Sequence, residues 1–353
     1  MRAQVSRPHR RVRHGFASLL TLATALTAGT AWAGPAAEAK PEPLVLCLAL
    51  APDDSPIFPI AEVRADFRGF AVACHVAEGE SLKALTATWV ALEVGSVAPK
   101  NTVIATTTLE IGTRGHGGFS FSLPRDLPVG SYRVDVQADG KAWASLPVSV
   151  VAATDVALPA KPADLLPLAK GTAWTYDFRL TPGPGVTLTL PGVTPDADGT
   201  LRAKAVYAVA QSTGTSARVE IRRNEAVVLE ESWALDAKGL GVTRRHAGDE
   251  TMDFDPPQPL FPWPVKGATT STYTPKGGDA SAAQGVRTWG PVTVAGPSGP
   301  ATGWVVLVSV PVTSPSITIE REFVPGVGMV RESIVRAGQM LFSRQETVLV
   351  ASK

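Results

Sequence analysis

Residues 323–330 read Phe323-Val324-Pro325-Gly326-Val327-Gly328-Met329-Val330. A Pro-Gly turn with a second glycine two residues on separates two segments of alternating hydrophobicity, residues 316–323 and 328–335. Pro followed by Gly marks a turn, and the alternation predicts half-buried strands. We interpret this stretch as the last hairpin of an antiparallel sheet that begins at residues 171–176.

The first strand of that sheet has a clear apolar face. Alternate residues from 172 to 180 are large and mostly apolar, and the residues between them are small or charged. Further alternating segments follow at 201–209, 217–223, 227–235, 286–294 and 304–312. After residue 33, no segment keeps a helical period of 3.6 residues for three turns, so the expected fold class is all-β. We assign residues 171–353 to a curved antiparallel sheet, a half-barrel.

An earlier group of short strands occupies residues 44–152. Leu127-x-x-Gly130-x-Tyr132 leads into an alternating segment, and Asp139-Gly140 then favours a two-residue type I′ hairpin turn. The Leu-x-x-Gly-x-Tyr pattern resembles the tyrosine corner of immunoglobulin-like and fibronectin-like sandwiches. The resemblance implies an immunoglobulin-like β-sandwich over residues 44–152.

Proline-rich segments separate these units. Residues 153–170 contain Pro159, Pro162 and Pro167, which disfavour a long helix and predict a semi-rigid linker. Residues 34–43 are rich in Pro and Ala, and we expect a flexible leader there.

The N-terminus has the pattern of a secretory signal peptide. Residues 1–15 contain five arginines and no acid, residues 16–29 are largely apolar, and Ala31-Trp32-Ala33 matches an A-x-A cleavage site. The pattern predicts removal of residues 1–33, export to the periplasm or the cell exterior, and no transmembrane segment afterwards.

The charge balance disfavours nucleic acid as a partner. Residues 1–33 hold five of the 33 basic residues and none of the 32 acids, so residues 34–353 carry 28 basic and 32 acidic residues, a net charge of −4. A mildly acidic chain has no electrostatic footprint for nucleic acid or an anionic membrane.

Two cysteines, Cys47 and Cys74, are present. In an oxidising compartment a single pair of cysteines usually forms a disulfide, so we predict a Cys47–Cys74 bond. The alternative, a reactive thiol at Cys74 beside His75, is disfavoured because neighbouring residues of a strand point to opposite faces.

Several short motifs occur in a recognisable order. They are Gly171-x-x-Trp174-x-Tyr176, Gly239-Leu240, Asp255-Pro256-Pro257, Trp263-Pro264-Val265-Lys266-Gly267 and Pro325-Gly326-Val327-Gly328-Met329-Val330. This order resembles a poorly characterised class of secreted bacterial β-proteins and lipoproteins, over roughly residues 165–350. The resemblance implies a half-barrel similar to those of lipoprotein carriers, and fold similarity alone does not establish function. The chain departs from the class at residues 270–272, where a second tryptophan is expected, and it has no lipobox.

Aromatic residues are the remaining candidates for a binding site. If they lined a cavity, they could contact a lipid, a glycan or an apolar peptide, and otherwise they fill the core. The candidate face consists of Trp174, Tyr176, Trp233, Trp263, Trp304 and Phe323.

No catalytic, cofactor or metal constellation emerges from the sequence. The chain has no zinc-type spacing of His and Cys, no nucleophile elbow and no dinucleotide fingerprint. Asp249, Asp253 and Asp255 do not match a calcium loop, and we interpret them as a solvated rim. We interpret His246 as a turn residue.

We therefore expect a non-catalytic envelope protein, either a binding module or a structural one, with an unidentified partner that could be a lipid, a glycan or an envelope protein. One alternative is a periplasmic carrier or chaperone for a lipid or lipoprotein, which would use the aromatic face. The other is a hydrolase or its accessory domain, which would use Asp253, Asp255 and His246.

Overall fold

The computed structural model describes residues 42–76, 82–111, 116–159, 164, 166–263, 265–276, 283–310, 316–338 and 341–352. The predicted signal peptide (1–33) and most of the predicted leader (34–43) lie outside these ranges. Residues 160–163 and 165 of the predicted linker also lie outside them.

The described part of the chain is built from strands, which confirms the all-β prediction. It contains 21 strands in three sheets and a 3-10 turn at Ala65–Phe67. Within the described ranges, no helix has the length and apolar character needed to cross a membrane.

Nine strands form two sheets in the N-terminal part. They are β1 (Leu44–Leu50), β2 (Pro56–Pro59), β3 (Val63–Arg64), β4 (Gly69–His75), β5 (Ala84–Glu93), β6 (Thr102–Glu110), β7 (His116–Ser122), β8 (Gly130–Ala138) and β9 (Lys141–Val151). One sheet has the order β2-β1-β4-β7, and the other has the order β3-β9-β8-β5-β6. All neighbours are antiparallel except β3 and β9, which run parallel.

The two sheets pack face to face. The ring of Phe70 on β4 meets Trp89 on β5 edge to face, with the ring centroids 5.3 Å apart. The Tyr132 hydroxyl donates a hydrogen bond of 2.7 Å to the Pro128 carbonyl, four residues earlier in the chain. Asp139 and Gly140 both have positive φ angles, as the predicted type I′ turn requires.

The remaining twelve strands form one antiparallel sheet. They are β10 (Ala173–Pro182), β11 (Leu201–Ser212), β12 (Ser216–Arg223), β13 (Ala226–Asp236), β14 (Gly239–Ala247), β15 (Glu250–Pro262), β16 (Gly267–Tyr273), β17 (Gln284–Gly296), β18 (Gly299–Val310), β19 (Ser316–Val324), β20 (Gly328–Ala337) and β21 (Leu341–Ser352). Their order is β15-β14-β13-β12-β11-β10-β21-β20-β19-β18-β17-β16.

The twelve-stranded sheet curls until its two edge strands touch. The Tyr273 hydroxyl on β16 donates to the Pro256 carbonyl on β15 over 3.0 Å, and the Lys276 amide donates to the Asp255 carbonyl over 2.8 Å. The predicted half-barrel is thus a sheet that comes close to forming a full barrel. We call it the curled sheet.

The hairpin at residues 323–330 forms as predicted but is not the last one. β19 and β20 pair across the turn, in which the Val327 amide donates to the Val324 carbonyl over 3.1 Å. A further strand, β21, pairs with both β20 and β10. The first and last strands of this sheet are therefore neighbours at its centre.

The sandwich packs against the outer face of the curled sheet. Arg64 on β3 donates to the Pro291 carbonyl on β17, and Arg344 on β21 donates to the Ser55 hydroxyl over 2.6 Å. Buried residues of both parts belong to one continuous apolar core.

Candidate functional site

The interior of the curled sheet is lined by alternate residues of its strands. The register places Phe178 opposite Ala203 on one side and Thr347 on the other, and Thr347 lies opposite Glu332. Because directly paired residues of antiparallel strands point to the same face, all four residues face the interior. The predicted apolar face of β10 is thus the inner face.

Aromatic side chains fill one end of this interior. Trp174 and Tyr176 are each only 1% exposed. The Trp174 Nε1–H donates to the Val327 carbonyl over 2.6 Å, and the Tyr176 hydroxyl donates to the Met329 carbonyl over 2.9 Å. These two hydrogen bonds connect β10 to the turn between β19 and β20 and to the start of β20.

Three further candidates lie in the same packed region. Phe323 packs on Phe261 with ring centroids 4.3 Å apart, and Trp233 lies 6.4 Å from Trp174. The Trp304 Nε1–H donates to the Val265 carbonyl over 2.9 Å. The remaining candidate, Trp263, is partly exposed beyond the end of β15. Trp174, Tyr176, Trp233, Trp304 and Phe323 are thus buried core residues in this structure.

Charged side chains occupy the other end of the interior. The Arg321 Nε–H donates to Glu332 Oε2 over 2.8 Å, and both residues are 7% exposed. Nearer β13, the Arg245 Nε–H and the Trp233 Nε1–H each donate to the Glu231 carboxylate over 2.7 Å. Each buried glutamate thus has its own arginine.

Two more arginines reach the same interior without a carboxylate partner. The Arg223 guanidinium lies over the Phe178 ring, 4.5 Å from its centroid. Arg336 lies on β20, four residues beyond Glu332 on the same face. Among the residues that the structure describes, neither arginine has a carboxylate within 4.0 Å. We call Arg223, Arg321 and Arg336 the arginine cluster.

Burial and mutual repulsion act on this cluster. Burial lowers the pKa of Arg223, whereas electrostatic interaction with Tyr207 and Glu332 acts to raise it. Burial also lowers the pKa of Arg336, and repulsion from Arg223 lowers it further, against attraction by Glu332. Burial raises the pKa of Tyr207, as do the charges of Glu332 and Glu231. The tyrosine is therefore a neutral neighbour of the cluster.

The charged end of the interior is partly accessible to solvent. Several inward-facing residues there are only partly buried, in contrast to the aromatic end. They are Ala203, Arg223, Ile319, Ile334, Arg336 and Gln345, whereas Leu180, Leu201, Ser343 and Thr347 on the same inner face are buried. β12 and β20 end there, at Arg223 and Ala337, and β21 begins there at Leu341.

A second ionic group lies on the outer face, where the sandwich packs. The Arg331 guanidinium bonds Glu320 over 3.0 Å, Glu322 over 2.9 Å and Glu346 over 3.2 Å. Burial raises the pKa of Glu320 to about 7, against the attraction of Arg331, and the Phe58 amide donates to its carboxyl group. This group joins the two parts of the protein.

The residues of the hydrolase alternative lie on β14 and β15. Asp253 is paired with Arg244 at 2.6 Å, and Asp255 is paired with Lys276 at 2.9 Å. His246 Nδ1 lies 2.8 Å from Thr251 Oγ1. The prediction of a turn at His246 is wrong, because β14 continues to Ala247. Within the described ranges, no three acidic, His or Cys side chains are grouped to hold a metal ion.

The structure corrects the predicted disulfide. Cys47 on β1 lies opposite Ala71, whereas Cys74 on β4 lies opposite Leu44. The two cysteines are three register positions apart on neighbouring strands, so their side chains point to opposite faces of the sheet. Both are buried free thiols.

The comparisons with known proteins give two structural likenesses. No family model matches the chain, and no curated protein matches it. A protein from Bacteroides fragilis, inferred to be exported and with a YmcC-like fold, is 16% identical, with a TM-score of 0.27 over 54% of this chain and 98% of its own. A protein from Parabacteroides distasonis, inferred to be a lipoprotein, is 14% identical, with a TM-score of 0.22 over 53% of this chain and 97% of its own. At these TM-scores the likenesses carry no inference about function.

Proposed function

We propose that this chain is an exported, non-catalytic binding protein of the bacterial envelope, and that its ligand enters the interior of the curled sheet at the charged end. Export is supported by the basic, apolar and A-x-A segments of residues 1–33. The observation that carries the binding role is the contrast between the two ends of the interior.

At the aromatic end, the interior-facing polar groups of Trp174, Tyr176 and Trp304 have hydrogen-bond partners. At the charged end, no carboxylate of the described residues lies within 4.0 Å of Arg223 or Arg336, and the space around them is partly accessible. Unpaired charges inside a protein reduce its stability, and proteins retain such costs chiefly where function needs them. A bound ligand would supply the missing partner.

We also infer that the sandwich is immunoglobulin-like and that residues 153–170 separate it from the curled sheet. The pairing of β1, β4 and β7 in one sheet and of β9, β8 and β5 in the other follows the A-B-E and G-F-C order of that fold. The ionic group around Arg331 gives the sandwich a fixed position, so we assign it a supporting or presenting role.

The test uses the full chain, expressed with its leader in a bacterium and followed by cell fractionation. We expect the protein in the periplasmic or extracellular fraction, with residues 1–33 removed. Native and denaturing mass spectra of that material should differ by one bound molecule. Cytoplasmic protein with an intact leader, or native spectra that never carry an added mass with any class of envelope ligand, would contradict the proposal.

A further inference from the structure

The interior carries a surplus of positive charge. In the described strands of the curled sheet, the inward-facing charged residues that are at least partly buried are four arginines and two glutamates, a surplus of two positive charges. They are Arg223, Arg245, Arg321, Arg336, Glu231 and Glu332. Glu231 and Glu332 are each held by one arginine, so the surplus belongs to Arg223 and Arg336.

The fold brings these two side chains toward one place. Arg223 lies opposite Ala205 on β11, and this small residue lets the arginine extend across to Phe178 on β10. Phe178 is two strands away from Glu332, which shares the inner face of β20 with Arg336. Arg336 lies four residues, about 13 Å, further along β20 than Glu332. Repulsion from Arg223 lowers the pKa of Arg336, so the two guanidinium groups are close enough to interact.

Hydrogen-bonding capacity remains unused at this point. Arg223 Nε and Thr347 Oγ1 are buried without a hydrogen-bond partner among the described residues. A buried donor without a partner is costly, and one that a native protein retains calls for an explanation such as a bound ion or water.

We propose that Arg223 and Arg336 bind a phosphate group between them, with Thr347 as a further donor, and this assignment rests on the proposed binding function. The planar fork of arginine matches the oxygens of phosphate. A phosphate monoester carries a charge of about −1.5 to −2 at neutral pH, which balances the surplus of two. A single carboxylate would leave half of that surplus uncompensated.

The phosphate group can come from two sources, a free phosphate ion or the headgroup of a phospholipid. Partly exposed apolar side chains next to the arginines, Ile319 and Ile334, could contact an acyl chain. The chemistry of the headgroup site is the same in both cases.

The experiment is calorimetric titration of the full-length mature protein with sodium phosphate, against sodium chloride at equal ionic strength. A second titration uses a soluble short-chain phosphatidic acid, and a third uses hexanoate as a carboxylate of similar apolar size. We expect saturable phosphate binding. If phosphatidic acid binds about tenfold or more tightly than phosphate, the source is a lipid, and equal affinity indicates the free ion.

Arg223→Gln and Arg336→Gln should each weaken phosphate binding by about tenfold or more, since each removes a charge-assisted hydrogen bond. Arg222→Gln is the matched control, because Arg222 is the neighbouring residue on the exposed face and pairs with Glu220. We expect its affinity to equal that of the wild type.

Three results would overturn the assignment. They are the absence of saturable heat at about 10 mM phosphate, equal affinity in the Arg223→Gln and Arg222→Gln variants, and tighter binding of hexanoate than of either phosphate compound. The wild-type titrations decide the question even if an arginine variant does not fold. An uncharged molecule in the native mass spectrum would leave the binding function standing while excluding phosphate.

Discussion

Cys47 and Cys74 lie on neighbouring strands of one sheet, and their side chains point to opposite faces of it. Cys74 belongs to the core between the two sheets of the sandwich. Cys47 packs with Ala71 and Ala73 on the other face. A disulfide needs Cβ atoms about 3.5–4.5 Å apart on converging vectors, which this placement does not provide.

The mature protein should therefore contain two thiols and no disulfide. Burial raises the pKa of both thiols to about 12, so neither forms much thiolate at pH 8. We expect no alkylation by iodoacetamide in the native state, and alkylation of both cysteines after denaturation without a reducing agent. A denatured chain that reacts only after reduction would contradict this placement.

The buried carboxyl of Glu320 should make stability depend on pH. Its pKa is about 7 in the folded protein against an ordinary value of 4.5, so the folded state binds the proton more tightly. The free energy of unfolding should therefore fall as the pH rises from about 4.5 to about 7, by roughly 1.4 kcal/mol for each unit of pKa shift. Urea unfolding of the wild type and of Glu320→Gln across this range measures the effect.

The Glu320→Gln variant cannot titrate at this position, so its pH profile should lack that slope. Glu93→Gln serves as a control, because Glu93 is an exposed partner of Lys100. Parallel profiles for the wild type and Glu320→Gln would show that the pKa of Glu320 is the same in the folded and unfolded states, and would contradict the effect of burial.

The turn at residues 325–327 allows a matched pair of glycine substitutions. Gly328 has a φ of +103°, and a Cβ there would lie 2.4 Å from Leu166 Cδ1 and 3.2 Å from Trp174 Nε1. Gly326 has a φ of +74° with open space around it. We expect Gly328→Ala to lower the free energy of unfolding by roughly 2–4 kcal/mol, and Gly326→Ala by only about 1 kcal/mol. Equal losses would mean that residue 328 is not packed against Trp174.

Removal of the charge at Arg336 should stabilise the protein when no anion is bound. Burial and repulsion from Arg223 lower the pKa of Arg336, so the folded protein disfavours its charged form. We expect Arg336→Met to raise the free energy of unfolding by about 1 kcal/mol in chloride buffer. Thermal unfolding measures this change, and destabilisation on the scale of a broken ion pair would mean that Arg336 already has a carboxylate partner.

Local patterns in the sequence predicted much of the strand structure. Alternation identified the inner face of β10, and the turn residues at 139–140 and 325–327 set two hairpins. Such features depend on neighbours in the chain. The end of β14 was harder, because Arg244 to Ala247 continue a strand without a strong apolar alternation.

Features that depend on register between distant strands were not predictable. The prediction of a Cys47–Cys74 disulfide was wrong because the register between β1 and β4 decides which face of the sheet each cysteine occupies. The arginine cluster could not be predicted from the sequence because its arginines come from three strands, β12, β19 and β20. The alternation of residues 217–223 places Arg223 on the apolar side of its strand, and this is the one signal in the sequence that could have drawn attention to it.

Arg223 and Arg336 should hold an anion between them in the interior of the curled sheet. Crystals of the full-length mature protein soaked in tungstate, a heavy tetrahedral analogue of phosphate, test it directly through the anomalous signal of tungsten. We expect a peak inside the curled sheet, with oxygens about 3 Å from both guanidinium groups. A fully occupied tungstate on the outer surface, with none between these two arginines, would contradict it.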